Sequence, residues 1–561
     1  MTRSLRYLLL SAGLLATSAA DAQSWKSALA LPTSTDGRSR INSLVADGTG
    51  GYLLAGQFTG TLTLGNFTLT SAGGQDAFVA HLNSTGGYTQ ALRAGGSGDD
   101  VAVKLATDAT GLTTVVGSFA SSSIVFGTTT LTNFDSSSTP SADIFVARLS
   151  ADGTWTQAVQ GGGPSDDSAS GVALDPNGSA VVAGSYMGST AKFGTYTLSG
   201  SLTGGTPFVA RLGSMGAWSQ AVRIISAGSP TLVSDVAVNA LGSAVVTGIV
   251  LEGGALTFGN FTLDTRGRGD CLFVARLNRS GIWVQAAQTI GSGGTTIARH
   301  LILDADGNAI IAGETTAPIA TFGGYTVSSP INSIGKRDFV SFVARLSATG
   351  TWTQVAQTTN DLNNCYTNAL ALDASGSVWL AGQFNAPAVN FGSVTLTNSD
   401  PDAIKNNHFD LYLARLSNTG TWTFATSATN ATPRALVLSN GTAVVAGGNV
   451  SPAVFGAITL SSSAQATGFI ANLSGGVLAT RTLSASSSYA AWPNPANGYL
   501  TLSFTANAAS RAVQLFDPLG REVRRMALPA HANSLNLSLV GLPSGHYLLR
   551  CGSITQHIMV E

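Results

Sequence analysis

Short runs of alternating apolar and polar residues recur along the chain and predict β-strands. One run, "FVARLSADGTW" (Phe145–Trp155), joins an apolar strand with a central arginine to a turn and a tryptophan. Near-copies follow as "FVARLNRSGIW", "FVARLSATGTW" and "YLARLSNTGTW". Period-two alternation bounded by turns of the D-x-x-G and S-x-x-G type is typical of antiparallel hairpins. The pattern therefore predicts β-hairpins and no helical segments.

Two motifs each occur seven times and stay in step. Copies of the first are 57 to 70 residues apart, and they begin at Phe78, Phe145, Phe208, Phe273, Phe342, Tyr412 and Phe469. The second, of which "VVAG" is one form, ends at Gly56, Gly117, Gly184, Gly248, Gly313, Gly382 and Gly447. Repetition at this period indicates a solenoid or a propeller.

Each repeat contains four strand signals, which favours a propeller. In the third repeat they are "GVALD", "SAVVAGSY", "PFVARL" and "AWSQAVRI". Four short antiparallel strands per repeat describe a propeller blade. An open solenoid would need polar caps, and neither end of the array differs from its middle. We predict an all-β protein with a seven-bladed β-propeller over residues 24–483.

An aromatic residue opens the fourth strand of each repeat, and we expect it to pack that strand on the next blade rather than to bind a cofactor or sugar. The seven are Trp25, Tyr88, Trp155, Trp218, Trp283, Trp352 and Trp422. Trp25 precedes the first complete repeat, so "SWKSALAL" (Ser24–Leu31) is a candidate to complete the last blade. "GVLATRTL" (Gly476–Leu483) fits the same place, and the sequence does not choose between them.

Five repeats carry an arginine within the apolar third strand, at Arg148, Arg211, Arg276, Arg345 and Arg415. A buried charge without a partner costs several kcal/mol, so each arginine should have one. Aspartates with nearly the same period open five of these strands: Asp76, Asp143, Asp270, Asp338 and Asp410. We expect structural pairing between blades, with acidic groups or backbone carbonyls as the partners, in preference to a ligand site.

A third motif, "FGNFTL" (Phe258–Leu263), has counterparts in all the other repeats. Apolar residues flank a two-residue turn that begins with glycine, which suits a tight hairpin. We expect an extra hairpin between the second and third strands of every blade. Taken together, "GGSGDDVAVKLATDATGLTTVVGSF" (Gly95–Phe119) and the following "DIFVARLSADGTWTQAV" resemble the bacterial β-propeller repeat called SBBP, a relative of NHL-type blades. The resemblance covers roughly residues 24–483 and implies a fold, not an activity.

The composition changes from Ala490 onward. "AAWPNPANGYLTLSF", "VQLFDPLGREV", "LPSGHYLLR" and "QHIMVE" resemble, segment by segment, the type A C-terminal sorting domain of the type IX secretion system. Pro493, Asn494, Pro495, Gly520 and Gly545 fall on the pattern of that family, while Trp492 stands where tyrosine is commoner. The resemblance implies a small β-sandwich at 492–561 after a linker at 484–491. It also implies contact with the secretion machinery, export across the outer membrane, removal of the domain, and release or attachment to surface lipopolysaccharide.

The first 22 residues predict a secretory signal peptide. Arg3 and Arg6 precede an apolar run, Leu8 to Ala16, and the small-x-small site Ala20-Asp21-Ala22. No later run is long and apolar enough to cross a membrane. We therefore expect a protein that passes through the periplasm and ends outside the cell or attached to its outer surface.

Charge and cysteine content exclude several classes of protein. Charged residues make up 10% of the chain and its net charge is −1, so nothing indicates nucleic-acid binding. Cys271, Cys365 and Cys551 are too few and too scattered for a disulfide framework or a zinc site. We expect buried free thiols, with a Cys271–Cys365 bridge as the alternative.

The sequence contains no G-x-S-x-G, H-E-x-x-H or Walker motif. "DADGN" (Asp304–Asn308) departs from an EF-hand in its glycine and lacks the final glutamate, so we interpret it as a hairpin turn. The acidic loops with Asp99, Asp100, Asp166 and Asp167 are candidates to hold calcium or sugar hydroxyls. Solvated loop ends are the simpler interpretation, and no cofactor is expected.

Three functions remain. The first is a surface or secreted binding propeller for a glycan or a protein, the second a polysaccharide hydrolase or lyase, and the third a scaffold without a small ligand. An enzyme should break the repeat with irregular polar residues at the central channel. The apparent regularity of the repeats favours binding or scaffolding.

Overall fold

The computed structural model describes two compact units, one up to Val477 and one from Leu478. The described residues are 23–201, 205–227, 230–251, 253–332, 335–360, 362–439, 441–461 and 466–473 in the first unit. In the second they are 490–492, 496–503, 511–517, 521–529, 531–532, 534–551 and 554–561. The predicted signal peptide and most of the predicted linker lie outside the described residues.

The first half of the first unit consists of short strands. These are β1 (Trp25–Ala30), β2 (Arg38–Ala46), β3 (Tyr52–Thr59), β4 (Thr61–Leu64), β5 (Phe67–Thr70), β6 (Asp76–Leu82), β7 (Tyr88–Ala94), β8 (Asp100–Thr107), β9 (Thr113–Phe119), β10 (Ser123–Phe126), β11 (Thr129–Thr132), β12 (Asp143–Leu149), β13 (Trp155–Gly161), β14 (Asp167–Leu174), β15 (Ala180–Tyr186), β16 (Thr190–Phe193), β17 (Tyr196–Ser199), β18 (Thr206–Leu212), β19 (Trp218–Arg223) and β20 (Ile225–Ala227).

The second half continues in the same way, with one short helix. It comprises β21 (Thr231–Val238), β22 (Ala244–Val250), β23 (Ala255–Phe258), β24 (Phe261–Asp264), β25 (Cys271–Leu277), β26 (Trp283–Gln288), β27 (Ile290–Gly291), β28 (Thr296–Leu303), β29 (Ala309–Thr315), β30 (Ala320–Phe322), β31 (Tyr325–Val327), β32 (Val340–Leu346), β33 (Trp352–Gln357), β34 (Thr359–Asn360), β35 (Cys365–Leu372), β36 (Val378–Phe384), β37 (Ala388–Phe391), β38 (Val394–Thr397), α1 (Ala403–Asn406), β39 (Asp410–Leu416), β40 (Trp422–Ser439), β41 (Thr442–Phe455), β42 (Ile458–Leu460) and β43 (Thr467–Leu473).

The large strands form repeat sheets of four antiparallel strands, in the predicted order. Five of these sheets stand alone: β2-β3-β6-β7, β8-β9-β12-β13, β14-β15-β18-β19, β21-β22-β25-β26 and β28-β29-β32-β33. The sixth repeat sheet (β35-β36-β39-β40) and the seventh (β40-β41-β43-β1) are joined, because the 18 residues of β40 serve both. The N-terminal strand β1 pairs with β43, so it is the fourth strand of the seventh repeat sheet. The other candidate for this place, Gly476–Leu483, lies outside the described residues.

Packing between repeat sheets forms the core of the first unit. Seven clusters of buried apolar residues each draw on two neighbouring repeat sheets. One of them combines Ile41 and Leu54 of the first repeat sheet with Val444 and Ile470 of the seventh. The first strands also contact one another in chain order, from β2 through β8, β14, β21, β28 and β35 to β40, and β40 contacts β2.

Every repeat sheet carries the expected extra hairpin between its second and third strands, which confirms that prediction. In six of them the phenylalanine of the hairpin turn packs edge-on against the tryptophan of the fourth strand, with ring centroids 4.9 to 5.2 Å apart. The indole nitrogen of Trp218 donates to the carbonyl of Gln160, in the preceding sheet, at 3.1 Å. The tryptophans therefore hold hairpins and neighbouring sheets together.

The second unit is also all-β. Its strands are β44 (Ala490–Trp492), β45 (Tyr499–Ser503), β46 (Arg511–Phe516), β47 (Glu522–Leu528), β48 (Ser534–Ser538), β49 (Gly545–Cys551) and β50 (Ile554–Val560). They form a three-stranded sheet, β44-β45-β48, and a four-stranded sheet, β47-β46-β49-β50. One apolar cluster takes Leu500 from the first sheet and Leu515 and Leu549 from the second, the arrangement expected of a small sandwich. No helix among the described residues of the chain is long and apolar enough to cross a membrane.

Candidate functional site

Each of the seven first strands contains a β-bulge at the equivalent place. One residue there has no partner on the second strand, and these bulge residues are Asn42, Val103, Ser170, Ser234, Arg299, Asn368 and Arg434. Bulges re-aim a side chain and are common beside functional sites. Seven equivalent bulges therefore set seven side chains apart from the ladders of the sheets.

The glycine that ends each second-strand motif permits this geometry. A Cβ atom built on any of the seven would lie 1.9 to 2.1 Å from a carbonyl oxygen of the first strand, just before the bulge. At Gly313, for example, the carbonyl is that of Ile297. Only glycine allows the two backbones to approach so closely. The sequence motif thus has a structural cause that also shapes the bulge.

All seven bulge residues surround one cavity of about 510 Å³, which we call the axial cavity. Their side chains are amides, hydroxyls, guanidinium groups and one valine, so the repeat is not maintained at this position. The regular repeat led us to expect regular residues at this position too, and that expectation is wrong. The irregularity was hidden because the bulge residue falls between the motifs that define the repeat.

A charged cluster from three repeat sheets lies beside the axial cavity, and its members Lys104 and His300 line that cavity. Lys104 Nζ lies 3.4 Å from Asp235 Oδ2, and His300 Nδ1 lies 3.8 Å from the same oxygen. The backbone N–H of Leu301 also donates to it at 3.2 Å. Burial opposes ionisation of Asp235, but Lys104 and His300 outweigh it and hold the pKa of this carboxyl below its usual value. Burial in turn lowers the pKa of His300.

A second ion pair lies beside the first. Arg299 Nε donates to Glu314 Oε2 at 3.0 Å, and the backbone N–H of Thr367 donates to Glu314 Oε1 at 3.0 Å. Glu314 is 1% exposed, and its burial raises the pKa of the carboxyl. Glu314 in the cavity wall and Asp235 beside it are therefore each engaged by a cation and a backbone donor.

All four carboxylates of the predicted acidic loops accept hydrogen bonds from the protein. Asp100 is buried and accepts from Gly96 N and from Ser121 Oγ, both at 2.7 Å. Asp167 is buried and accepts from Gly163 N at 2.5 Å. Their neighbours accept from the backbone of the preceding loop: Asp99 from Gln75 N at 2.8 Å and Asp166 from Ala142 N at 3.0 Å. These aspartates brace the loops between repeat sheets.

Each of the five repeat arginines has an acidic or carbonyl partner. Arg148, Arg211, Arg276 and Arg345 donate to the turn carbonyls of Gly178, Gly242, Gly307 and Gly376 in the next repeat sheet, at 2.6 to 3.0 Å. Arg211 also donates to Asp175 at 2.7 Å, and Arg415 donates to Asp373 of its own sheet at 2.7 Å.

The aspartates that open the third strands contact other groups. Asp143 accepts from Phe134 N at 2.6 Å and Asp410 from Ser399 N at 2.6 Å. They stand at the opposite end of the seven-residue strand from the arginine. The expected pairing of these aspartates with the arginines is not among the described contacts.

The cysteines and the sorting-domain residues complete the set of candidates. Cys271 and Cys365 are buried and free, and burial raises the pKa of the Cys365 thiol to about 11. Gly545 opens β49, while Pro493, Asn494, Pro495 and Gly520 lie outside the described residues. Among the residues that the structure describes, no three or more His, Cys, Asp or Glu side chains come together in a way that could hold a metal ion.

Comparison with known proteins places the C-terminal unit in a family. Residues 490–560 match the family described as "Secretion system C-terminal sorting domain", which confirms the predicted type IX sorting tail and implies export to the cell surface or the medium. No curated protein matches the chain.

Several solved structures resemble the chain in fold. "YCF48 bound to D1 peptide" is 11% identical with a TM-score of 0.33, covering 82% of this chain and 99% of its own. An ulvan polysaccharide lyase is 11% identical with a TM-score of 0.39, covering 76% and 91%. Drosophila Semaphorin 1b, extracellular domains 1-2, is 7% identical with a TM-score of 0.36, covering 80% and 87%. At these values the likenesses carry no argument about function.

Proposed function

We propose that this chain is an exported binding protein, secreted or held at the cell surface, whose axial cavity takes a ligand and whose C-terminal domain directs type IX secretion. The observation that carries the binding role is the variation of the seven bulge residues around one space. A pure scaffold has no need of such variation, because a repeated residue would fill or line the channel equally well. Convergent polar groups in a concave site are the usual mark of ligand binding.

The proposal includes a closed seven-bladed propeller over residues 24–483. The seven interfacial core clusters support it, and so do the contact of β40 with β2 and the pairing of β1 with β43. Closure fixes the seven bulge residues around one axis, and a gap at any interface would open the cavity. The SBBP resemblance of the repeats agrees with this fold.

A binding screen tests the proposed function. The mature chain is applied to arrays of glycans and of surface proteins, in calcium and in a chelator, beside the variant Arg299→Gln. Arg266→Gln is the matched control, because Arg266 is exposed and pairs locally with Asp264. We expect a ligand that the wild type and the control capture and the Arg299 variant captures less. If no ligand is captured, or if the Arg299 variant captures the ligand as well as the wild type does, a binding role for the cavity is contradicted.

The charged cluster supports a second candidate, a polysaccharide hydrolase or lyase, and so does the variation of the bulge residues, because irregular polar residues at this place are also what we expect of an enzyme. His300 beside Asp235 is a pairing that serves proton transfer in many enzymes. Incubation with polysaccharides, followed by assays of reducing ends and of new double bonds, tests this alternative. Product formation that His300→Gln abolishes would establish an enzyme, and its absence on every substrate that the chain binds would favour the binding protein.

The proposed route to the surface involves two removals. We expect cleavage after Ala22 and again between Ser484 and Trp492, where "SASSSYA" is small and polar and suits a protease. Deletion of Tyr489–Glu561 should leave the propeller folded in the periplasm. Mass spectrometry of the exported protein checks both ends, and an intact Glu561 on it would contradict removal of the domain.

A further inference from the structure

Two arginines link the axial cavity to a second, larger one. The second cavity has a volume of about 900 Å³ and is lined by residues of the first, sixth and seventh repeats; we call it the mouth cavity. Arg40 of β2 and Arg434 of β40 line both cavities. They belong to strands at opposite ends of the repeat array, and the contact between β40 and β2 brings them together.

Neither guanidinium group is neutralised by a described carboxylate. Arg40 Nε donates to the amide oxygen of Asn42 at 3.1 Å. Arg434 has no hydrogen-bond or ion-pair partner in the part of the chain that the structure describes. Burial, and then the neighbouring charge of Arg40, lower the pKa of Arg434 to about 10. The two cations therefore repel each other in a partly desolvated place.

The acidic groups nearby do not remove this excess of positive charge. Asp235 and Glu314 are held by Lys104 and Arg299, as described above. Among its described lining residues the mouth cavity contains one acidic side chain, that of Asp36, beside Arg40 and Arg434. An anionic ligand would supply the missing counter-charge.

The stem of Arg40 is held in place by the backbone of the seventh repeat sheet. A Cβ atom built on Gly448 would lie 3.5 Å from Arg40 Cγ and 3.7 Å from Cδ, so the side chain passes directly over that glycine. Asn42, which accepts from Arg40, is itself fixed by donating to the carbonyl of Ala102 at 2.8 Å. The guanidinium group is therefore presented on a braced support.

The rest of the mouth cavity suits a hydroxylated ligand. Its walls carry many side-chain amides, including those of Gln57, Gln75, Asn407 and Asn449. Amides both donate and accept hydrogen bonds, as sugar hydroxyls do. Arginine binds carboxylate and sulfate oxygens through its planar fork, often with two parallel bonds.

We propose that Arg40 and Arg434 form an anion subsite for an acidic polysaccharide, with the carboxylate or sulfate of the ligand at the guanidinium groups. This rests on the proposed binding function and specifies the class of its ligand. Carboxylate and sulfate present the same chemistry to the two arginines, so the experiment compares both sources.

Calorimetric titration of the mature full chain tests the subsite with three probes: oligogalacturonate for carboxylate, dextran sulfate for sulfate, and uncharged dextran. We expect at least one acidic probe to bind and dextran not to bind. Arg434→Gln and Arg40→Gln should each lower the affinity for the acidic probe about tenfold or more, because each removes one charge-assisted contact. Arg434→Lys should recover only part of the affinity, and Arg266→Gln, with the same change of charge at a remote exposed site, should bind as the wild type does.

Circular dichroism melting tests whether each variant is folded. Arg434→Gln removes a repulsion between two cations and should not lower the melting temperature. Acidic probes that bind equally to the Arg434 variant and the wild type would overturn the subsite. Preference for dextran that the Arg299 variant loses would overturn it too, while leaving the proposed binding function intact. Arginine-dependent binding of a polyglutamate peptide without binding of either acidic glycan would overturn the polysaccharide class. Failure of every probe here and of every ligand in the array screen would overturn the proposed function itself.

Discussion

At the scale of single residues, the repeat arginines act as clamps between neighbouring sheets. Arg276 is 7% exposed and donates to the turn carbonyl of Gly307 at 2.9 Å. Its side chain also contacts Gln285 Oε1 at 3.4 Å. A guanidinium group suits this place because it has several donors and can satisfy a carbonyl while its stem packs against apolar neighbours. The sequence predicted that the buried arginine would have a partner. Only the packing of the next repeat sheet shows that this partner is the carbonyl of Gly307.

Substitution of Arg276 by Leu should lower the free energy of unfolding by about 1.5–3 kcal/mol, because it removes a hydrogen bond from a charged donor and leaves the carbonyl unsatisfied. Urea denaturation of the mature protein measures the change. Arg266→Leu is the control at an exposed position and should change stability by less than about 0.5 kcal/mol. A loss no larger than that of the control would mean that the clamp is not needed for stability.

At the scale of elements, the approach of the first and second strands depends on glycine. In the fifth repeat sheet a Cβ atom on Gly313 would lie 1.9 Å from the carbonyl oxygen of Ile297. The clash is with backbone, so no side-chain rotation relieves it. The strand pair would have to separate at the bulge that positions Arg299.

Gly313→Ala should therefore destabilise the protein by more than about 2 kcal/mol, at the upper end of overpacking effects. Gly324→Ala in the hairpin of the same repeat is the control, since nothing lies within 4 Å of its Cβ position. Thermal denaturation followed by circular dichroism compares the two. Equal stability of both variants would show that the bulge does not require glycine.

The loops between the second and third repeat sheets contain a pair of buried carboxyl groups. A Cβ atom on Gly162 would lie 2.4 Å from Asp167 Oδ2 and 2.9 Å from Asp143 Oδ1, so both side chains face the same point. Burial, reinforced by the charge of Asp143, raises the pKa of Asp167 to about 8. Burial also raises the pKa of Asp143 to about 7. Two carboxyl groups that face one point titrate as a coupled pair, and folding raises the pKa of both.

Because these pKa values are raised by folding, the folded state keeps protons that the unfolded chain releases near pH 4. The pair should therefore cost stability progressively as the pH rises from about 4 to about 8. The free energy of unfolding of Asp167→Asn should exceed that of the wild type by at least about 1 kcal/mol at pH 8 and by little at pH 4. Urea denaturation across this range, with Asp306→Asn in an exposed turn as control, measures the effect. A stability difference that does not change with pH would contradict the raised pKa values of the pair.

At the scale of the whole molecule, the N-terminal strand completes the last repeat sheet. Trp25 packs edge-on against Phe455 at 5.2 Å and donates to the carbonyl of Ser427 at 3.1 Å. Trp283 makes the equivalent ring contact with Phe258 at 4.9 Å, entirely within one repeat. The seventh repeat sheet therefore repeats the others in structure, although its strands come from both ends of the unit.

If the ring is closed by β1, Trp25→Ala and Trp283→Ala should lower the free energy of unfolding equally, by about 3–5 kcal/mol each, because each removes the same buried contact. Urea denaturation of the two variants provides the comparison. A terminal strand that frays independently would make the Trp25 substitution nearly neutral. That result would contradict closure at the first and seventh repeat sheets.

The sequence by itself determined the local structure. Alternation, turn glycines and the recurring aromatic residue predicted four-stranded repeats with an extra hairpin, because each of these signals acts within a few neighbouring residues. The C-terminal sorting domain was recognisable for the same reason, since its motifs lie within one short segment. The repeat also identified the residues with a structural duty, such as Gly313 and Trp283.

Only the tertiary structure decided where the functional side chains meet. The bulge residues follow no common sequence pattern, and their convergence arises because seven first strands lie side by side. Asp235 meets Lys104 from a sheet two repeats away, and Arg40 meets Arg434 because β40 packs against β2. The pairing of β1 with β43 likewise joins segments that are far apart in sequence. The sequence therefore could not decide between β1 and Gly476–Leu483 as the fourth strand of the last repeat sheet. Periodicity reports contacts between neighbours in the chain, whereas these contacts depend on how distant repeats pack against one another.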